Sequence, residues 1–195
     1  MTVIDTLEAM VGVWHDHLEA FTPAGAPVTW DEFGSSVGAY PYDNVVYVDF
    51  DGTDYVQTNV VMLGRDHHAR TFSGTVRDGV LFFNHLGENA PQHVGVSAGP
   101  GRIIYCSQRL DHPGLLNYAE PDYVQLTSDH ERERTTMLYR AGEVVRTLRV
   151  TGLRLTTSTN RRHKLDPRGP GTQVHDGAVL TKAFTAGKDT ELADD

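Results

Sequence analysis

The chain has 195 residues, 39% hydrophobic and 22% charged, with a formal net charge of -9. Those proportions belong to a globular domain able to bury its own core, and they exclude a disordered chain. The acidic balance excludes nucleic acid as a partner, since phosphate backbones need a basic face, and no run of about 18 apolar residues exists to span a membrane as a helix.

Thr2 to Val11 places apolar residues at Val3, Ile4, Leu7, Met10 and Val11, the spacing of one helix face. Thr2 with Asp5 three residues later predicts a capping pair, and Gly12 a stop. Met1 to Asp5 shows neither the basic stretch nor the apolar run of a secretion signal, so the expected location is the cytoplasm. The single cysteine, Cys106, agrees: no internal disulfide is available. Within the strand-like run Arg102 to Ser107 it reads as a small buried filler.

From there to Leu155 the period is that of strands. Turn signals recur at Asp51-Gly52, Gly64-Arg65-Asp66, Asp78-Gly79, Gly99-Pro100-Gly101, Ser128-Asp129, Ala141-Gly142 and Gly152. Between them lie runs rich in β-branched and aromatic residues, such as Tyr55 to Met62 and Val80 to Phe83. About nine strands joined by short turns, with no helical crossover, predict an antiparallel meander. A twisted sheet of that size curls and closes, which removes its edges. The predicted class is therefore mostly β: a closed, antiparallel, up-and-down barrel over 1–155, with a short N-terminal helix. Roughly eight to ten strands enclose one small ligand.

Residues 156–195 form a C-terminal extension. A basic, Pro/Gly-rich loop (Arg161-Arg162-His163-Lys164, Arg168) precedes a short apolar stretch, Val179 to Phe184, and an acidic end, Glu191 to Asp195. The basic cluster reads as a solvated loop. The apolar stretch either adds an edge strand or docks on a second copy of the chain, as a homodimer.

The helix followed by Gly12-Val13-Trp14 resembles the opening of a lipocalin, where a helical turn plugs one end and a Gly-x-Trp tripeptide begins the first strand. That resemblance implies a Trp packed at the closed end against an Arg of the last strand, a part Arg149 or Arg154 would play. A longer resemblance, over about Gly12 to Leu155, is to bacterial lipocalin-like (calycin) proteins of largely unassigned function. It rests on Asp54 to Asn59, Phe72-Ser73-Gly74, Gly79 to Phe83, Tyr123 to Leu126 and the closing hairpin Met137 to Arg146. The chain departs from secreted lipocalins in lacking a disulfide and a signal sequence.

Polar residues on strand faces carry the functional signal. Residues two apart share a face, so Tyr55, Gln57, Asn59 and Val61 lie together, opposite Val56, Thr58, Val60 and Met62. Tyr123, Gln125 and Thr127 likewise lie opposite Val124 and Leu126. Turned inward, these amides and phenols need partners that a ligand or water supplies. Turned outward, they are wet and the valines form the core. Both alternations are equally regular, so the two orientations stay open.

His15 and His17 share a face beside Trp14, but no spacing completes a metal set, and neither metal nor cofactor is expected. His85 and His93 bracket a loop at the expected rim, where an imidazole titrating near neutrality serves as acid or base. Pro113 to Tyr118 reads as an excursion that brings Tyr118 over the open end. Nothing resembles a nucleophile elbow, phosphate loop or dinucleotide fingerprint.

Two functions follow as expectations. One is a cofactor-independent isomerase or cyclase of a biosynthetic pathway, acting on a small, hydrophobic or amphipathic metabolite. Tyr123, Tyr105 or His85 would then supply a proton, while Trp14, Tyr55, Gln57, Asn59, Tyr118 and Gln125 hold the substrate. The alternative is a carrier of a hydrophobic ligand or pigment, without turnover.

Overall fold

A computed structural model describes residues 2–30, 39–63, 66–84, 92–107, 119–140 and 142–157. Helix α1 (Val3–Met10) starts where the sequence places it. The Thr2 hydroxyl accepts from the Asp5 amide at 3.3 Å, and the Asp5 carboxylate accepts from the Thr2 amide at 2.5 Å. These reciprocal bonds satisfy donors that a helix N-terminus leaves without partners. The apolar stripe, Val3, Leu7 and Met10, is fully buried.

Eleven strands follow: β1 (Gly12–Phe21), β2 (Pro27–Val28), β3 (Tyr42–Phe50), β4 (Asp54–Leu63), β5 (Asp66–Arg77), β6 (Val80–Phe83), β7 (His93–Gly99), β8 (Arg102–Ser107), β9 (Ala119–Leu126), β10 (Glu131–Arg140) and β11 (Glu143–Thr156). From β3 onward each pairs antiparallel with the next, and β11 pairs with β1. Ten strands thus close a barrel, as the sequence predicts. The two-residue β2 is additional, pairing with Ala20 and Phe21 of β1, past the point where β3 ends. Hairpin chemistry sets the corners: Asp78 and Gly79, with φ of 51° and 75°, make the two-residue turn that joins Arg77 to Val80.

Gly12 does not end the helix by itself. Val11 is the cap residue, and Gly12 opens β1 at φ 139°. A side chain there would run into the Thr156 carbonyl oxygen of β11. The glycine therefore serves the closure between first and last strands, not only the stop.

Inside, α1 plugs one end. Its stripe joins Trp14, Val46, Val48, Phe50, Tyr55, Leu81, Ile103 and Val124 in one core cluster. The seam beside this plug is held by charge. Arg132 of β10 reaches across β11 to Asp16 of β1, with Nε to Oδ1 at 3.0 Å and Nη2 to Oδ2 at 2.7 Å. Gly152 of β11 lies between them: a methyl there would collide with the Asp16 carboxylate and stand 2.7 Å from Arg132 Cγ. The pair is 5% and 1% exposed. Among the described residues no helix is long and apolar enough to cross a membrane.

Removing one member of such a pair leaves an uncompensated buried charge, which costs about 3–5 kcal/mol. Arg132→Met should lower stability by that amount in urea unfolding, whereas Asp16→Leu combined with Arg132→Met should lose less. A single variant within about 1 kcal/mol of the parent would show that the seam closes without this pair.

Candidate functional site

Pairing registers decide which faces line the lumen. Phe50 lies opposite Tyr55, Val48 opposite Gln57 and Val46 opposite Asn59. Because Val46, Val48, Phe50 and Tyr55 belong to the core, the Tyr55/Gln57/Asn59 face of β4 points inward. The same pattern on β9 is reversed. Val124 is a core residue opposite Ile103, so Tyr123 and Gln125 lie on the outer face, where the Tyr123 hydroxyl donates to Gln125 Oε1 at 2.9 Å. The expected roles of Tyr123 in catalysis and Gln125 in ligand binding are corrected accordingly. An aliphatic Val124 gains from packing against Ile103, and the outward phenol and amide remain hydrated.

Trp14 is also corrected, from ligand contact to structure. It has no exposed surface, its indole N–H donates to the Met10 carbonyl at 2.9 Å, and two guanidiniums lie against its ring. Arg154 of β11 stands 4.4 Å and Arg132 4.5 Å from the ring centroid. Arg154, not Arg149, takes the position expected for the last-strand arginine, and it also donates to the Ala9 carbonyl of α1. Tyr118 and His85 fall outside the described residues. His15 and His17 share the outer face of β1, 3.7 Å and 2.9 Å from Asp43. Among the described residues no three-ligand metal set exists.

What remains is a polar wall inside the barrel. The Tyr55 hydroxyl donates to Gln57 Oε1 at 2.5 Å, and Gln57 Nε2 donates to Asn59 Oδ1 at 2.8 Å. Behind them the Tyr105 hydroxyl of β8 interacts with that of Tyr55, and the Phe83 ring lies edge-on to both, at 5.9 Å from Tyr55 and 5.5 Å from Tyr105. Tyr105 fits because Gly95 on β7 leaves its ring room; a Cβ there would stand 3.1 Å from it. Facing the phenols is a second ion pair: Arg134 of β10 binds Asp122 of β9 through Nε at 2.7 Å and Nη2 at 2.5 Å, and the Thr136 hydroxyl donates to Asp122 at 2.9 Å.

Sequence reasoning passed over Asp16, Asp122, Arg132, Arg134, Arg146 and Arg70. A signal existed: in Glu131-Arg132-Glu133-Arg134 the arginines fall on one strand face and the glutamates on the other. Among the described side chains, the registers turn five arginines inward (Arg70, Arg132, Arg134, Arg146, Arg154) against two aspartates, Asp16 and Asp122. Among the described side chains, the inner face of this acidic protein therefore carries more arginine than aspartate.

That lumen is not tightly filled. Gln57, Asn59, Phe72 and Leu148 all face inward yet remain only half-buried. A separate groove of about 320 Å³, lined by Phe21, Thr22, Pro23, Thr135, Thr147 and Arg149, lies on the outside of the wall.

Burial pushes the Tyr55 hydroxyl up to about 12, against the lowering effect of Tyr105 and then Arg132 and Arg134. Burial, then Tyr55, raises Tyr105 well above its ordinary value. Burial works against the Arg134 charge, but Asp122 outweighs it and raises the pKa. Both phenols therefore keep their protons where an unfolded chain, with tyrosines near 10.0, has released them. The contribution of Tyr55 is complete below pH 10.0 and lost as pH rises towards about 12. Urea midpoints should fall over that alkaline window, and less steeply in Tyr55→Phe; parallel slopes would place Tyr55 in water.

No family model matches the chain, and no curated protein matches it. Among solved structures, it is similar to a protein of unknown function of the DUF3598 family from Nostoc punctiforme, with a TM-score of 0.52 and 15% identity. The match covers 76% of this chain and 48% of that one, so this chain spans about half that protein's length. At this identity the likeness shows the fold alone: a closed antiparallel β-barrel.

Proposed function

We propose that the protein binds one small amphipathic organic molecule inside the barrel. The carrying observation is the hydrogen-bonded wall Tyr55–Gln57–Asn59 turned into a lumen whose other inward residues, Phe72, Phe83 and Leu148, keep accessible apolar surface. Apolar lining with a few fixed polar groups is what an amphipathic ligand needs. The lipocalin-like (calycin) assignment belongs to this reading. It is supported by Gly12-x-Trp14 opening β1 after a plugging helix, with Arg154 of the last strand stacked on the indole. A half-buried lone cysteine suits a reducing, cytoplasmic setting.

A second reading, the cofactor-independent isomerase or cyclase, is favoured by one feature. The coupled Tyr105 and Tyr55 hydroxyls, held protonated beside Asp122–Arg134, form a proton donor within the lumen. In that case Tyr105→Phe abolishes turnover of the retained ligand while leaving its binding intact.

Native mass spectrometry of the purified protein reads any retained ligand. In parallel, N-phenyl-1-naphthylamine, a neutral fluorescent probe, should bind once per barrel. Leu148→Trp, which fills the lumen, and Gln57→Leu, which interrupts the polar wall, should each weaken binding about tenfold or more, by loss of contact area and hydrogen bonding. Tyr123→Phe, on the outer face, should leave it unchanged. Undiminished binding in both lumen variants would place the site elsewhere.

A further inference from the structure

The wall of β4 has a direction. Tyr55 donates to Gln57, and Gln57 donates to Asn59 Oδ1, so each link passes its donor outward from the plugged end. The last donor is Asn59 Nδ2, which has no partner among the described residues. Asn59 lies opposite Arg70 of β5, whose guanidinium rests 5.1 Å from the Phe72 ring and makes no ion pair among the described residues. An unused amide donor thus sits beside an exposed cation on the inner face that has no ion pair among the described residues. The aspartates Asp16 and Asp122 are already committed to Arg132 and Arg134.

A second observation comes from β3. Asn44 is 4% exposed, faces inward opposite Asp16 and Val61, and its Oδ1 has no hydrogen-bond partner. A buried amide oxygen without a donor costs about 1–3 kcal/mol. Asn44 and Arg70 flank β4 on either side, one residue pair apart along the inner face.

We infer that the lumen's ligand is an organic acid with a hydroxyl or amino group near its carboxylate: Arg70 and Asn59 Nδ2 take the carboxylate, Asn44 Oδ1 accepts from the neighbouring donor, and the apolar remainder lies over Phe72 and Phe83. The inference rests on the binding reading above and names its ligand class. A guanidinium stacked on a ring and flanked by an amide N–H matches a carboxylate in charge and in donor geometry. Among the described side chains, the inward excess of arginine over aspartate favours an anion in a chain whose net charge of -9 would otherwise repel it.

The test is calorimetric titration of the full chain with decanoate, 2-hydroxydecanoate, 1-decanol and decyltrimethylammonium. Decanoate should bind about tenfold or more tightly than decanol, as for a hydrogen bond to a charged group, and 2-hydroxydecanoate more tightly still. Arg70→Leu should erase the preference for acid over alcohol without changing decanol binding, and Arg70→Glu should favour the ammonium probe. Asn44→Ser should reduce the advantage of the hydroxy acid alone. Equal affinity for decanoate and decanol, or indifference to Arg70→Glu, overturns the inference while leaving a ligand-binding lumen. Failure of every probe to bind overturns the lumen reading itself.

Discussion

One buried ion pair reinforces the antiparallel ladder that closes the barrel. Asp16 and Arg132 are 116 residues apart, and their paired hydrogen bonds fasten the first strand to the last hairpin over the bare backbone of Gly152. Local pairing alone produces a long sheet with two exposed edges, at β1 and β11. Joining those edges orders a loop that spans most of the described chain, and the entropy of closure must be offset by contacts that exist only in the closed state. Trp14 supplies more of them. Its ring is in contact with both Arg132 and Arg154, so the indole, the plug helix and three strands form one buried unit.

Once this end is shut, the interior is divided. Near α1 it is a dry core of Leu7, Trp14, Val48, Leu81, Ile103 and Val124. Further along, the same inward faces carry Gln57, Asn59 and Phe72, which are only half-buried. A barrel of this strand number is too wide for side chains alone to fill along its full length. The plug solves that at one end and leaves space beyond it. Some polar groups tolerated in that space are paired with one another, as Asp122 is with Arg134 and Thr136. Others are left with unused valences, as the buried Asn44 and the half-buried Asn59 are, and such groups distinguish a binding lumen from a filled core.

Charge follows the same partition. The chain is acidic, but among the described side chains most acids other than Asp16 and Asp122 fall on the helix, outer faces and turns: Glu131 and Glu133 alternate outward while Arg132 and Arg134 alternate inward. Segregation by strand face costs little in covalent terms, since period two is intrinsic to the pleat. It gives the outside a solubilising field and the inside an opposite one.

The sequence by itself determined the capped helix, the strand order, the tight turns and hence the antiparallel meander, because caps, turns and alternation act over a few residues. It also marked Gly12-x-Trp14 as a special opening and Arg154 as one of two partners for the indole. The orientation of the polar faces was decided only in three dimensions. Tyr55-x-Gln57-x-Asn59 and Tyr123-x-Gln125 are the same pattern, yet the first lines the lumen and the second meets water. In a strand both faces alternate equally well, and which one is buried depends on register with distant neighbours: Val46 and Val48 for β4, Ile103 for β9. The clamp of Asp16, Arg132 and Gly152 was likewise invisible, since each residue reads as ordinary until the first and last strands stand side by side and water is removed from between them.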